Sequence, residues 1–293
     1  MSLMPVPGRG PTLTLVKPIA PGPGNWVGAP SAAIDFGVSG LGGPAVALAY
    51  RERSVTARGA AVVIARWSGA DTDEVVELAR LDKDRFGAES LERPALIRTD
   101  SGQWRLFVSC ATPNSKHWWI DVLQADSLAG LATAERHTVF PGDRRTAVKD
   151  PVVHRQAGRW QAWICCHPLD EPGAEDRMWT SYATSEDGWT WIDHGPVLRP
   201  TPGTWDARGT RLTAVLSDGT AYYDGRASAE ENFSERTGLA HFDGSQLVAS
   251  LDGPVAAVRY LDVLAMPDGS WRMFYEAPLA DGSHELRTES VRG

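Results

Sequence analysis

Apolar positions along this chain fall in short runs of Val, Ile, Leu, Trp, Tyr and Phe, broken by Gly, Pro and Asp. No long amphipathic helix is visible, and short alternating runs between turn residues are the mark of strands. One phrase recurs: a strand, a tight glycine turn and a second, aromatic-rich strand. Four clear copies run over 94–109, 151–165, 211–223 and 262–275, turning at Gly102, Gly158, Gly219 and Gly269, and a weaker copy over 34–50 turns at Gly43. Third strands are predicted at 60–67, 118–125, 178–185, 237–242 and 285–290, with outer strands at 75–81 and 191–193. A repeat spacing of about 50–60 residues is the scale of propellers and arrays. Four antiparallel strands per repeat make a blade. The predicted fold is therefore all-β, a five-bladed β-propeller with four antiparallel strands per blade, spanning 25–293. Residues 1–24, rich in Pro and Gly, read as an arm over the domain that adds an outer strand near Thr12–Val16. The segments 127–135 and 227–235 read as helical turns.

Composition narrows the partners. Of 293 residues 42% are hydrophobic, enough for a real core, so disorder is excluded. The net charge of −8 argues against nucleic acid or an anionic membrane as the main partner, while leaving room for a local basic pocket. Twelve tryptophans can both join neighbouring blades and stack on a ligand. No apolar stretch is long enough to span a membrane. The three cysteines, Cys110, Cys165 and Cys166, are an odd number, and the adjacent pair points to opposite faces of a strand. Free thiols suggest a reducing compartment, and no charged segment followed by an apolar one opens the chain. A cytoplasmic location is expected. Met1–Leu3 ahead of Met4 reads as an added leader, so secretion stays open if a native signal was trimmed.

A propeller concentrates chemistry at the mouth of its axial channel, and the first strand of each blade faces the axis. Aligning the repeats on their turn glycines sets Asp35, Arg93, Asp150, Arg211 and Leu261 at one level. Four of the five are charged. A buried charge is costly unless paired, so such a level is either an ion-pair network or a catalytic site. Glu92, Lys149, Asp206, Arg208, Arg259, Tyr260 and Asp262 lie close by in sequence. Carboxylates beside Arg and Trp are the equipment of glycoside chemistry, in which one carboxyl group protonates the leaving oxygen and another activates water or attacks carbon.

These residues carry a resemblance. The entry 26–35, the stretch Tyr50-Arg51-Glu52-Arg53, Glu92-Arg93-Pro94, Lys149-Asp150-Pro151 and the hairpin 185–191 resemble the five-bladed propeller glycoside hydrolases, the superfamily of families 43, 32 and 62 and the family 130 phosphorylases. The likeness covers about residues 26–290. It implies a carbohydrate substrate, with Asp35 as base or nucleophile and Asp150 as the group that tunes and orients. The glutamate that serves as acid in that superfamily has no counterpart here, because the fourth blade offers Trp205-Asp206-Ala207-Arg208. The acid is then Asp206, Glu92 or Glu276, or there is none. Arg93, His117, Trp118, Arg208, Arg211, Tyr223, Tyr260, Asp262 and Glu276 are the expected substrate-binding residues. Glycosidic bond hydrolysis is the expected activity. Phosphorolysis, with arginines holding phosphate, and sugar binding without turnover are the alternatives.

Each constellation also has a structural reading. Tryptophans are mostly buried, so Trp118 and Trp119 fit blade packing as well as sugar stacking, while His117 leans towards function. Tyr223-Asp224-Gly225-Arg226, with Asn232 and Glu235, is either a binding loop or a loop held by an Arg–carboxylate pair. Glu276 meeting Arg51 or Arg53 would close the first blade onto the last. The hairpin at 185–191 is similar to the Asp-box of sialidases, whose role is structural. The seven histidines are scattered, without metal-ligand spacing, and no phosphate-binding glycine loop is present. Neither a metal nor a cofactor is expected.

Overall fold

The computed structural model describes residues 4–40, 43–69, 72–250 and 252–291; Met1–Leu3 lie outside them. After β1 (Thr12–Val16), the first blade is β2 (Trp26–Gly40), β3 (Gly43–Arg53), β4 (Ala61–Trp67) and β5 (Val75–Asp82). The second is β6 (Leu91–Arg98), β7 (Trp104–Ala111), β8 (Trp118–Ala125) and β9 (Arg136–Phe140). The third is β10 (Thr146–Gln156), β11 (Arg159–Pro168), β12 (Trp179–Ser185) and β13 (Ile192–Leu198). The fourth is β14 (Gly209–Val215), β15 (Thr220–Arg226), β16 (Arg236–Phe242) and β17 (Leu247–Ala249). The fifth begins with β18 (Arg259–Ala265), β19 (Trp271–Pro278) and β20 (His284–Val291). Within each blade successive strands pair antiparallel. The segment 127–135 contains a 3-10 turn at Ala129–Ala132, whereas 227–235 forms bends and turns.

The fifth blade takes its fourth strand from the other end of the chain. β1 pairs antiparallel with β20, opposing Thr12 to Glu289 and Leu13 to Thr288. Trp26 then bridges to His284, tying the first blade to the fifth. β1 thereby covers the outer edge of β20, and the blades are left with only short outer edge strands. Five apolar clusters fill the five gaps between blades. Ile64 and Trp104 belong to the cluster between blades one and two, and Phe107 and Trp160 to that between two and three. Trp163 meets Phe242 (ring centres 5.3 Å apart) between three and four, and Tyr222 and Met273 belong to the cluster between four and five. Trp67 meets Phe274 between five and one. Each fully buried large side chain contributes about 1.5–3 kcal/mol, so the fold is held mainly between blades.

One buried carboxylate anchors the N-terminal segment. Glu289, fully buried, accepts hydrogen bonds from the backbone N–H of Gly8 (2.8 Å) and Arg9 (2.7 Å) and from Tyr275 Oη (3.2 Å). Hydrogen bonds to a charged group are worth about 1.5–3 kcal/mol. Glu289→Ala is expected to lower stability by about that amount and to expose the backbone ahead of Thr12 to protease. An unchanged urea midpoint together with unchanged protease resistance would rule this anchoring out.

Candidate functional site

Antiparallel pairing places the start of every inner strand, the end of every second strand and the loop that follows on one face of the propeller. On that face a cavity of about 310 Å³ opens at the axis. Glu92, Lys149, Arg211 and Tyr260 reach it from inner strands, and Arg51, Arg53, His167 and Arg226 from second strands. Trp118 and Met178 supply apolar wall. The loops add Arg58, Lys116, Glu175, Asp176, Asn232, Phe233 and Glu235. A larger cavity of about 770 Å³ lies at the opposite mouth, among aliphatic residues such as Ile34, Ile97, Val153 and Leu264 together with Arg93, Arg98, Arg155, Asp218, Asp243 and Asp262. Cations and carboxylates are more densely gathered at the smaller one.

A repeated backbone irregularity shapes the inner strands. Their pairing slips between Gly28 and Ser31, Leu91 and Pro94, Lys149 and Val152, and Arg259 and Asp262. Within three of these bulges a non-glycine residue has positive φ: Ala29 at 51°, Asp150 at 51° and Tyr260 at 52°. A bulge re-aims the side chain it carries, and such strained residues cluster at functional sites. The bulges also define which residues are equivalent. Ala29, not Asp35, stands on the first blade where Asp150 stands on the third.

Asp35 is therefore a correction to the sequence alignment. It lies further along β2, opposite Ala45, and is absent from the cavity wall. Arg66 holds its Oδ2 through Nε (3.2 Å) and Nη2 (3.0 Å), and Arg98 stands 3.8 Å from Oδ1. Asp150 precedes its turn glycine by eight residues, but Ala29 precedes Gly43 by fourteen. The first hairpin is longer than the others, so counting back from its glycine slides the register.

The remaining predicted residues divide between the two mouths, the interior and the periphery. Glu92, Trp118, Arg211 and Tyr260 line the small cavity. Asp150 is fully buried just behind it. Its Oδ1 accepts from the Arg93 backbone N–H (3.2 Å), and its Oδ2 from Arg211 Nη1 (3.2 Å) and Tyr260 Oη (3.5 Å). Arg93 turns its guanidinium towards the other mouth, donating to the carbonyls of Pro30 (3.3 Å) and Thr213 (2.7 Å), 3.9 Å from Asp262. Asp262 shares that far end. Asp206 and Tyr223 are buried in blade four, bonded to one another at 2.9 Å, outside the cavity wall. Arg208 makes a bidentate pair with Asp176 (2.9 and 2.7 Å), and His117 pairs with Thr112 Oγ1 (2.9 Å); neither lines the cavity. Glu276 bonds Arg51 (2.7 Å), Arg259 (2.8 Å) and His284 (2.7 Å), joining the first blade to the last. Asp176, His167, Arg58 and Lys116 escaped the sequence reading. They sit at strand ends or in loops without periodic signal, and only their shared face unites them.

The carboxylates form a continuous relay with the arginines. Arg51 bridges Glu92 and Glu276, Arg259 bridges Glu276 and Glu235 (2.7 Å), and Arg226 binds Glu235 (3.0 Å) and Asn232 (2.6 Å). Arg211 bridges Asp150 and Asp224 (2.6 Å), with its guanidinium 3.8 Å from the centre of the Tyr260 ring. Burial alone would raise these acids, but the cations overcome it at most of them. Lys149 and Arg211 hold Asp150 at about 2, and Arg259 with Arg211 hold Glu235 at about 2. Glu92 is lowered by Arg51 and Lys149 against its burial, and Glu276 by Arg51 and Arg259. Burial wins at Asp224, raising it despite Arg211, and lowers the His167 imidazole to about 3, so that it is neutral.

An acid response follows. Asp150 and Glu235 sit below their unfolded values near 4, so the folded state gains from their ionisation above about pH 4 and loses that gain as pH falls towards 2. Asp224, raised by burial, acts in the opposite sense. A thermal scan series is expected to show Tm falling steeply below about pH 4. A flat profile between pH 5 and pH 2.5 would contradict the relay.

No known family profile and no curated protein sequence matches the chain. Solved structures do match it in fold. A thermostable family-43 glycoside hydrolase shares 16% identity at a TM-score of 0.67, over 91% of this chain and 89% of that one. A structure from the GH130 family of mannoside phosphorylases, described as containing glycoside hydrolases that target β-1,2 mannosidic linkages in Candida mannan, shares 14% identity at 0.64, over 99% and 96%. The α-L-arabinanase of Penicillium chrysogenum, complexed with arabinobiose, shares 11% identity at 0.62, over 96% and 97%. The chain has the fold of the propeller glycoside hydrolases.

Proposed function

We propose that this protein binds a carbohydrate in the 310 Å³ cavity and cleaves a glycosidic bond there. The observation that carries the reading is the position of Glu92. It is an inner-strand carboxylate in the cavity wall, with Oε2 fixed by Arg51 and Oε1 holding only a long contact to Ser90 Oγ (3.4 Å). Kept ionised by Arg51 and Lys149, it serves as the base that activates water. Trp118 offers an aromatic wall for a sugar face. Asp150 lies behind the wall and acts as a positioning residue, since it bonds both Arg211 and Tyr260.

A second reading, sugar binding without turnover, draws on one observation. The lining carboxylates Glu92, Glu175, Asp176 and Glu235 are all held below their ordinary values, so none of them is a ready proton donor at neutral pH. Aryl glycosides with nitrophenol leaving groups need no such donor and make the decisive substrates. A panel would be assayed with and without inorganic phosphate, alongside ligand-induced shifts in Tm. Product in both conditions supports hydrolysis, and product only with phosphate supports phosphorolysis. A Tm rise without product supports binding alone. If no glycoside either reacts or raises Tm, the carbohydrate reading fails.

A further inference from the structure

The cavity wall is out of electrical balance in a chain whose net charge is −8. Eight cationic side chains line it against four carboxylates. Most of the inner arginines are matched by the relay, in which Asp150, Asp224 and Glu276 also take part from behind the wall. Three cations near the opening make no direct ion pair, although Lys116 and Arg53 still feel Glu175 and Glu92 through space. Arg53, Arg58 and Lys116 line the cavity without an ion pair or side-chain hydrogen bond among the described residues. Arg58 and Lys116 are exposed, while Arg53 is partly buried, packed beside the touching rings of Trp26 (4.4 Å) and Phe233 (5.3 Å).

Hydrogen-bond donors are in excess as well. Arg51, Arg211 and Arg226 are 1–2% exposed, line the same cavity, and each has an Nε–H with no acceptor. Buried donors without acceptors are uncommon and costly. A wall with surplus positive charge and surplus donors selects a ligand with surplus negative charge and surplus acceptors.

We infer that Arg53, Arg58 and Lys116 form an oxyanion subsite for an acidic group carried by the sugar itself, so that the substrate is an anionic glycan bearing carboxylate or sulfate. The inference rests on the carbohydrate reading above and names the substrate class. A planar guanidinium packed beside two rings suits bidentate contact with such a group, and the two exposed cations add attraction from solvent.

The test is calorimetry with a panel of uronate-bearing and sulfated oligosaccharides, each beside its carboxyl-reduced or desulfated counterpart. At low salt at least one acidic glycan is expected to bind about tenfold more tightly than its neutral counterpart, the equivalent of about 1.4 kcal/mol. The preference is expected to vanish near 1 M salt, where the Debye length is about 3 Å. It is also expected to fall to within about twofold, or about 0.4 kcal/mol, in the double variant Arg58→Gln, Lys116→Gln, whose exposed positions leave the core intact. Arg53→Lys, which keeps charge but loses the fork, is expected to weaken the acidic ligand selectively. Equal affinity for acidic and neutral glycans overturns the inference and leaves the carbohydrate reading standing, as does a preference that the double variant retains. Binding of inorganic phosphate with no glycan overturns both.

Discussion

Glu92→Gln is expected to reduce kcat by about 10²–10⁴-fold, the usual contribution of a positioned base, while KM stays within a few-fold of the parent. The physical case rests on what the substitution leaves behind. Arg51 keeps its contact with Glu276 at 2.7 Å, so no buried arginine is stranded. Glutamine preserves volume and still accepts a hydrogen bond, so folding survives and the loss reads on chemistry. Steady-state kinetics on a reactive aryl glycoside would check it, with the urea midpoint as the control for folding. A Glu92→Gln variant that keeps the parent kcat removes Glu92 from the reaction. Asp150→Asn should differ in kind. It disturbs the contacts of Arg211 and Tyr260 together, so kcat, KM and stability all move.

Arg211→Met is expected to be the most destabilising single change at the site, by about 3–5 kcal/mol, because it breaks a buried ion network from the middle. Arg211 is 2% exposed and holds two carboxylates that are both fully buried, Asp150 and Asp224. Methionine fills much of the space but leaves Asp224 without its cation and Asp150 with Lys149 alone (3.6 Å). Against a total stability of about 5–15 kcal/mol, the loss is a large fraction and shows as a lowered urea midpoint with unchanged m. Its pH dependence has a defined sign. Asp224 already sits above its ordinary value through burial, and without Arg211 it rises further. The deficit is then greatest at neutral pH and shrinks on acidification, as the neutral acid needs no counter-charge. A deficit under about 1 kcal/mol would show that the network contributes little beyond packing.

Blade architecture was legible in the sequence because it rests on local physics. Alternation defined the strands, glycines marked the turns, and the repeat of the unit implied a ring. The third strand predicted at 118–125 and the observed Trp118–Ala125 coincide, and the arm supplies Thr12–Val16 as the outer strand of the last blade. The site was legible only in part. Glu92, Arg211 and Tyr260 follow from their places at inner-strand starts, where backbone geometry repeats from blade to blade. Asp35 was misplaced because one longer hairpin broke the count from the turn glycine.

What the sequence by itself determined is the three inner strands of each blade, the number of repeats and the end of each blade where charged residues gather. What only the tertiary structure decided is which charges meet. Glu92, Arg51 and Glu276 come from blades two, one and five, and Arg211 joins blade four to Asp150 of blade three. Strand periodicity is a property of neighbours along the chain. Ion pairing and the surplus of cations at the cavity mouth depend on distances across the axis, which exist only after the ring has closed.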